Sequence, residues 1–117
     1  MQKIFIVLFS LSAFGGYAQS KAEKLFQTKK WSQLVDLKGE AKRLSGKDIY
    51  RIGQGCMKEE QDTAAIRMFR MAIKKGYKTG DLYYNLGICY NQVELYPEAV
   101  YALNNALYLV PDRKIYL

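Results

Sequence analysis

The stretch Leu82-Tyr83-Tyr84-Asn85-Leu86-Gly87-Ile88-Cys89-Tyr90 decides the fold, because its Leu-Gly centre repeats the earlier pair Ile52-Gly53. Other apolar positions repeat at the same distance: Ala65 and Ala99, Phe69 and Leu103, Ala72 and Ala106. The second copy carries Tyr90 and Pro111 where the first has Cys56 and Tyr77. A period of about 34 residues, with small and large apolar residues at helical spacing, is typical of a solenoid of helix pairs. The sequence therefore predicts an all-α fold.

Two full repeats follow from this period, at residues 46–79 and 80–113. Ala65, Phe69 and Ala72 form one apolar stripe at i, i+4 and i+7, as on the buried side of a helix. The predicted helices are 48–58 and 62–75 in the first repeat, and 81–93 and 97–109 in the second.

Local signals support these bounds. Asp62 is a suitable N-cap, and Gly76 suits the left-handed residue that ends a helix. Pro97 suits a first helical turn, where its missing N–H costs nothing, and Pro111 should end the last helix.

Residues 19–45 predict a shorter helix pair that lacks the Leu-Gly centre and lies about three residues out of phase. Residues 20–28 should form its first helix, and residues 31–44 a continuous second helix that ends at Ser45-Gly46. The second helix should bury four apolar residues spaced by three and four: Leu34, Leu37, Ala41 and Leu44.

Close packing explains why glycine recurs at the centre of each repeat. We expect Gly53 and Gly87 to let the two helices of a pair approach closely, with Ala65 and Ala99 facing them. Phe69 and Leu103 are then expected to fill the gap to the next pair.

These features resemble the tetratricopeptide repeat (TPR) family, closely over residues 46–113 and loosely over 20–45. The stretch 82–90, Glu98-Ala99 and 106–111 are also similar to TPR proteins of bacterial aerotolerance operons. They are equally similar to TPR modules of periplasmic peptidoglycan-binding proteins. The resemblance implies a non-catalytic α-solenoid that binds a protein or peptide in a concave groove lined by the first helix of each pair. The groove residues it implies are Lys47, Tyr50, Gln54, Met57, Lys58, Asp81, Tyr84, Ile88, Asn91 and Gln92. For Tyr50 and Tyr84, the alternative is that they only cover neighbouring residues.

Residues 1–18 predict a secretory signal peptide. Lys3 precedes an apolar run, and small residues at Gly16 and Ala18 favour cleavage after Ala18. The run is shorter than the roughly 20 residues that span a bilayer, so no membrane span is expected after cleavage. Cleavage removes only one basic residue and leaves a net charge of +6. We expect export to a bacterial periplasm or cell envelope and no nucleic-acid partner, because the basic pairs are scattered.

The residues that usually carry catalysis are few. The chain has no histidine, which is the commonest general base and a common metal ligand. Cys56 and Cys89 form no CxxC motif, so we expect no metal, no cofactor and no enzymatic activity. Both cysteines should be buried on neighbouring helices, where a disulfide is not the favoured arrangement.

The C-terminal end suggests an alternative function. Residues 114–117 predict the start of a further helix, and the apolar side of helix 97–109, with Leu103, Leu107 and Val110, would otherwise be uncovered. We expect either that the sequence is a fragment of a longer protein or that this edge binds a partner or a second copy. The alternative function is therefore self-association within an envelope complex, with Tyr101 and Tyr108 at the edge.

Overall fold

The computed structural model describes residues 18–109, and helices joined by turns account for that part of the chain, with no strand. The all-α prediction is therefore confirmed for these residues. Predicted features at residues 1–17 and 110–117, including most of the signal peptide, Val110, Pro111 and the start of a further helix, lie outside the described residues. In chain order the helices are α1 (Lys21–Gln27), α2 (Trp31–Val35), a 3-10 helix (Asp36–Arg43), α3 (Gly46–Lys58), α4 (Asp62–Lys74), α5 (Gly80–Gln92) and α6 (Tyr96–Leu109).

The helices pack in chain order. The helices α1 and α2 contact α3, which packs on α4; α4 contacts α5, which packs on α6. The buried apolar residues of all these helices form one continuous core.

Each helix pair begins at a hydroxyl cap. The Oγ of Ser20 accepts a hydrogen bond from the Glu23 N–H, and the Oγ of Ser45 accepts one from the Asp48 N–H. Thr79, which precedes the second full repeat as Ser45 precedes the first, caps α5 in the same way. A serine or threonine cap satisfies an N–H that the helix itself leaves without a partner.

The turn within each pair also has one recurring geometry. Lys29, Glu60 and Glu94 adopt left-handed φ angles of 56°, 57° and 63°. The N–H of the residue after each one donates to a carbonyl five residues earlier, as in a Schellman motif: Lys30 to Leu25, Gln61 to Cys56 and Leu95 to Tyr90. The three pairs therefore share one turn structure, and Glu60 and Glu94 occupy equivalent positions of the two full repeats.

The predicted continuous helix 31–44 is wrong. The α-helix ends at Val35, and a 3-10 helix follows from Asp36 to Arg43. Leu34 in α2 and Leu37 in the 3-10 helix lie three residues apart, which is close to one turn of either kind of helix. Both are buried, and Gly39 within the segment lowers its α-helical propensity.

Two predicted helix ends are also wrong, and one is confirmed. Gly46 does not close a helix: it is the first residue of α3, and a Cβ there would lie 2.8 Å from the Cβ of Tyr77. Glycine is needed at this position because the end of the second helix of the pair lies against it. The N-cap of α4 is Gln61 rather than Asp62, and it makes no side-chain cap. Gly76 follows α4 with a φ of 89°, as predicted.

The central glycines receive a large side chain from the partner helix. A Cβ on Gly53 would lie 2.5 Å from Cε1 of Phe69, and a Cβ on Gly87 would lie 2.7 Å from Cδ2 of Leu103. Close packing at the glycines is therefore observed in both pairs. The expected role of Phe69 and Leu103 is corrected, because these side chains cover the glycine of their own pair.

A partly buried polar cluster attaches α1 to α3. The Oγ of Ser20 donates to Oδ1 of Asp48 at 2.8 Å, and the guanidinium of Arg51 donates to the same oxygen at 2.8 Å. Arg51 also lies 3.8 Å from the carboxylate of Glu23 on α1. One serine therefore both caps α1 and joins it to the next helix pair.

Candidate functional site

The ten predicted groove residues, here called the front surface, lie on α3 and α5. Most of them are exposed: Lys47, Lys58, Asp81, Tyr84, Asn91 and Gln92. Gln54, Met57 and Ile88 are partly exposed, and Tyr50 is buried. Nine of the ten side chains are thus accessible to a partner.

Tyr50 is a packing residue, which corrects its expected place in the groove. It is 8 % exposed, and its ring lies 5.6 Å from that of Phe69 and 5.4 Å from that of Tyr77, between centroids. Its hydroxyl accepts a hydrogen bond of 2.9 Å from Nδ2 of Asn85 on α5. The tyrosine therefore joins two helix pairs, and Asn85 is a structural partner that the sequence pattern did not indicate.

The end of the front surface near Lys58 is continued by the first helix pair. The ammonium group of Lys58 lies 5.8 Å from the ring centroid of Trp31, within the distance at which a cation is attracted to an aromatic ring. Trp31 in turn meets Phe26 in an edge-to-face contact. An aromatic cluster from residues 19–45 therefore borders this surface.

A groove of about 750 Å³ lies on the other side of α5 and is here called the back groove. Its size falls within the range of roughly 300–1,000 Å³ that is usual for ligand sites. In the described part of the chain, residues of α4, α5 and α6 line it, and none of them belongs to the front surface: Arg67, Arg70, Met71, Ile73, Lys74, Tyr83, Leu86, Tyr90, Glu98 and Tyr101.

Helix α5 presents a different face to each of these two surfaces. Tyr83, Leu86 and Tyr90 follow one another at i, i+3 and i+7 and face the back groove. Tyr84 and Ile88 belong to the front surface, and at about 100° per residue they fall on the other side of the helix. The helix therefore separates two candidate binding surfaces.

The back groove has one basic wall. Arg67, Arg70 and Lys74 are exposed on α4 at i, i+3 and i+7. Within residues 18–109, none of the three forms an ion pair. Among the described residues that line the groove, Glu98 on α6 is the acidic one. Positive charge is thus concentrated along α4.

The groove is aromatic at its floor and mouth. Tyr83 and Tyr90 are buried in the floor, while Tyr101 is 63 % exposed at the mouth. Burial, followed by the nearby Tyr101 phenol, raises the pKa of Tyr83 above its usual value. At neutral pH Tyr83 therefore offers a neutral ring and a hydroxyl group.

Sequence reasoning missed the basic wall, although its signal was present. Along the chain the basic pairs, including Lys74-Lys75, are separate, so the sequence predicts scattered positive charge. The spacing of Arg67, Arg70 and Lys74 places them on one stripe of a helix. Only the fold places that stripe beside aromatic residues from α5 and α6.

Both cysteines are buried and neither is in a disulfide, as the sequence led us to expect. Burial, followed by the nearby Asp62 carboxylate, raises the pKa of the Cys89 thiol to about 12. Burial also raises the pKa of Cys56, with Lys38 and Arg67 acting in the opposite direction. Two buried thiols with raised pKa values are poor nucleophiles at neutral pH.

Two other kinds of feature are absent from the described residues. Between residues 18 and 109, no group of three or more His, Cys, Asp or Glu side chains is placed to hold a metal ion. Over the same range, no helix has both the length and the apolar character needed to cross a membrane.

Large apolar side chains are exposed on the outer side of α6. Tyr108 is 81 % exposed, and Val100 and Tyr101 are also exposed. Leu103 and Leu107, which were expected at an uncovered edge, are only partly exposed, and Leu103 packs on Gly87. The outer surface of α6 is therefore defined by Val100, Tyr101 and Tyr108.

Comparison of the chain with protein-family models, with curated proteins and with solved structures returned no match.

Proposed function

We propose that this protein is a non-catalytic interaction module of TPR-like helix pairs, which binds a protein or peptide partner. The observation that supports it best is the structural repetition of α3–α4 in α5–α6. The hydroxyl cap, the glycine contact and the left-handed turn residue all recur at equivalent positions of the second pair. Stacked units of this kind form extended surfaces suited to a partner.

The partner is proposed to bind the front surface, along α3 and α5. Tyr84, Asn91 and Gln92 are exposed there on α5, and Lys47 and Lys58 are exposed on α3. Amide and tyrosine side chains can bond to the backbone of an extended peptide while their apolar parts pack against its side chains.

Selection from a displayed peptide library tests this proposal. The bait is the chain from Gln19 onward, and the affinity of enriched peptides is measured by calorimetry. We expect Tyr84→Ala with Asn91→Ala to weaken binding by about tenfold, since the loss of one or two contact residues costs ~1–2 kcal/mol. The control is Tyr108→Ala, which removes an exposed tyrosine elsewhere and should leave the affinity unchanged.

Two outcomes would count against the proposal in different ways. If no peptide is enriched, the chain is not a peptide-binding module. If enriched peptides bind but only substitutions outside the front surface weaken their binding, the protein is still an interaction module. Its binding site is then not the front surface.

Export is proposed with this function. Ala18 and Gln19 are exposed and lie outside any helix, because α1 begins at Lys21. The bond after Ala18 is thus accessible to a peptidase while the helix that follows stays intact. N-terminal sequencing of the protein from a periplasmic extract should give Gln19 as the first residue. A first residue of Met1 in that extract would contradict cleavage.

Self-association through the outer surface of α6 is a second candidate function. The observation that favours it is the exposure of Val100, Tyr101 and Tyr108 on one helix. Analytical ultracentrifugation should then show an oligomer that Tyr108→Ser dissociates and Tyr84→Ser does not. A monomer at every concentration would exclude this function.

A further inference from the structure

The back groove combines a basic wall, which forms no ion pair with any residue from 18 to 109, with an apolar, aromatic floor. Arg67, Arg70 and Lys74 supply the charge, and Tyr83 and Leu86 are among the floor residues. We propose that the back groove is a second recognition site, for an acidic peptide segment that carries an aromatic or branched aliphatic side chain. This site lies across α5 from the front surface and goes beyond the proposed function.

Charge complementarity supports an acidic partner. The three basic residues span seven positions of α4, or about 10 Å at 1.5 Å per residue. That length accommodates two or three carboxylates of one peptide. Arginine presents two parallel N–H groups to a carboxylate, and such charge-assisted pairs are stronger than neutral hydrogen bonds.

The apolar floor of the groove favours a peptide that has a large apolar side chain. Leu86, Tyr83 and Tyr90 close the bottom of the groove, and Met71 and Ile73 are only partly buried beside it. An aromatic or branched aliphatic side chain placed here would cover this apolar surface. Tyrosines at such a site add contact area with little loss of side-chain freedom.

Glu98 sets the orientation of the segment. It lines the groove from α6, on a different helix from the three basic residues. A bound acidic segment would therefore place its carboxylates along α4 and be repelled by Glu98. A polyphosphate chain has no apolar group to place on the floor, and a nucleic-acid chain needs a longer basic stripe than these three residues provide, so the mixed lining favours the peptide.

Fluorescence anisotropy with a short fluorescein-labelled peptide, in which glutamates flank one tryptophan, tests this inference on the chain from Gln19 onward. We expect saturable binding that weakens as salt rises. Arg67→Glu with Arg70→Glu should weaken it by about tenfold or more, because two charge-assisted contacts become repulsive. These side chains are exposed, so the fold should persist, as far-UV circular dichroism can verify.

Three matched measurements separate the groove from general attraction to a basic protein. Lys21→Glu with Lys24→Glu changes the net charge equally on α1, where both side chains are exposed, and should leave the affinity within about twofold. Glu98→Gln should tighten binding. A peptide with glycine in place of tryptophan should bind at least about tenfold more weakly, because the apolar contact is lost.

Each of the following results would overturn the inference. Equal losses in the two double variants would assign the attraction to the overall charge of the protein. Equally tight competition by polyphosphate, with no effect of the tryptophan, would show that the groove binds anionic chains rather than peptides. If the acidic peptide does not bind while library peptides still bind the front surface, only this inference fails. If neither kind of peptide binds, the proposed function fails as well.

Discussion

Substitution of Gly53 by alanine is the most direct test of how the helix pairs are held together. A methyl group there would lie 2.5 Å from Cε1 and 2.7 Å from Cδ1 of Phe69, about 1 Å closer than carbon atoms normally pack. Phe69 is 0 % exposed, so its ring has no solvent to move into. The two helices must separate, or the ring must leave its preferred position.

The expected change in the free energy of unfolding for Gly53→Ala follows from two opposing effects. Overpacking a buried site costs ~1–3 kcal/mol, and contact with two ring atoms places Gly53 at the upper end. Alanine favours a helix over glycine by about 1 kcal/mol, which offsets part of this cost. We therefore expect Gly53→Ala to lower the free energy of unfolding by about 1–2 kcal/mol, and the melting temperature by roughly 5–10 °C.

Alanine substitutions at two other glycines can be compared with Gly53→Ala. At Gly87 the methyl group would meet Leu103 at 2.7 Å, but Leu103 is partly exposed and can rotate, so the net cost should be at most about 1 kcal/mol. Gly39 has nothing within 4 Å, and alanine there should be neutral or stabilising by up to about 1 kcal/mol.

Urea unfolding followed by far-UV circular dichroism measures all three variants, and an unchanged slope with urea shows that the same transition is compared. The expected order of stability is Gly39→Ala, then Gly87→Ala, then Gly53→Ala. If Gly53→Ala is as stable as the unmodified chain, the buried Phe69 contact does not limit the approach of the helices. If Gly53→Ala combined with Phe69→Ala costs as much as the two changes added together, the residues are not coupled.

Two further predictions concern buried polar groups. Because the pKa of Cys89 is raised from 9.0 to about 12 by burial and by Asp62, its protonated thiol contributes stability fully below pH 9, and this is lost as pH rises through 12. Urea unfolding across that range should show a steeper loss of stability for the unmodified chain than for Cys89→Ala, and equal slopes would contradict it. Asp48→Ala should lower the free energy of unfolding by about 2–3 kcal/mol, because it leaves Arg51 partly buried without its 2.8 Å partner. In hydrogen exchange, α1 of this variant should lose protection first. The control is Glu40→Ala, which breaks an exposed ion pair and should lower the free energy of unfolding by at most about 1 kcal/mol.

Local chemistry in the sequence determined much of the secondary structure. Gly76 closes α4 and Pro97 lies in the first turn of α6, because each of these residues restricts or frees the backbone at its own position. The repeat of Gly53 at Gly87 indicated close helix packing, since only glycine leaves room there. Such features depend on a few neighbouring residues and can therefore be predicted from them.

Tertiary contacts decided the features that the sequence pattern did not predict. Tyr50 has the spacing of a front-surface residue, but Phe69, Tyr77 and Asn85 surround it. Likewise, the apolar pattern predicted a continuous α-helix through this segment, but residues Asp36 to Arg43 form a 3-10 helix. Leu37 and Ala41 are buried in it.

The back groove shows the same limit most clearly. Arg67, Arg70 and Lys74 are an ordinary solvated stripe of α4 when the sequence is considered alone. They become the wall of a groove only because α5 brings Tyr83 and Leu86 beside them. Periodicity reports which side of a helix is polar, whereas the packing of three helices determines what that polar side faces.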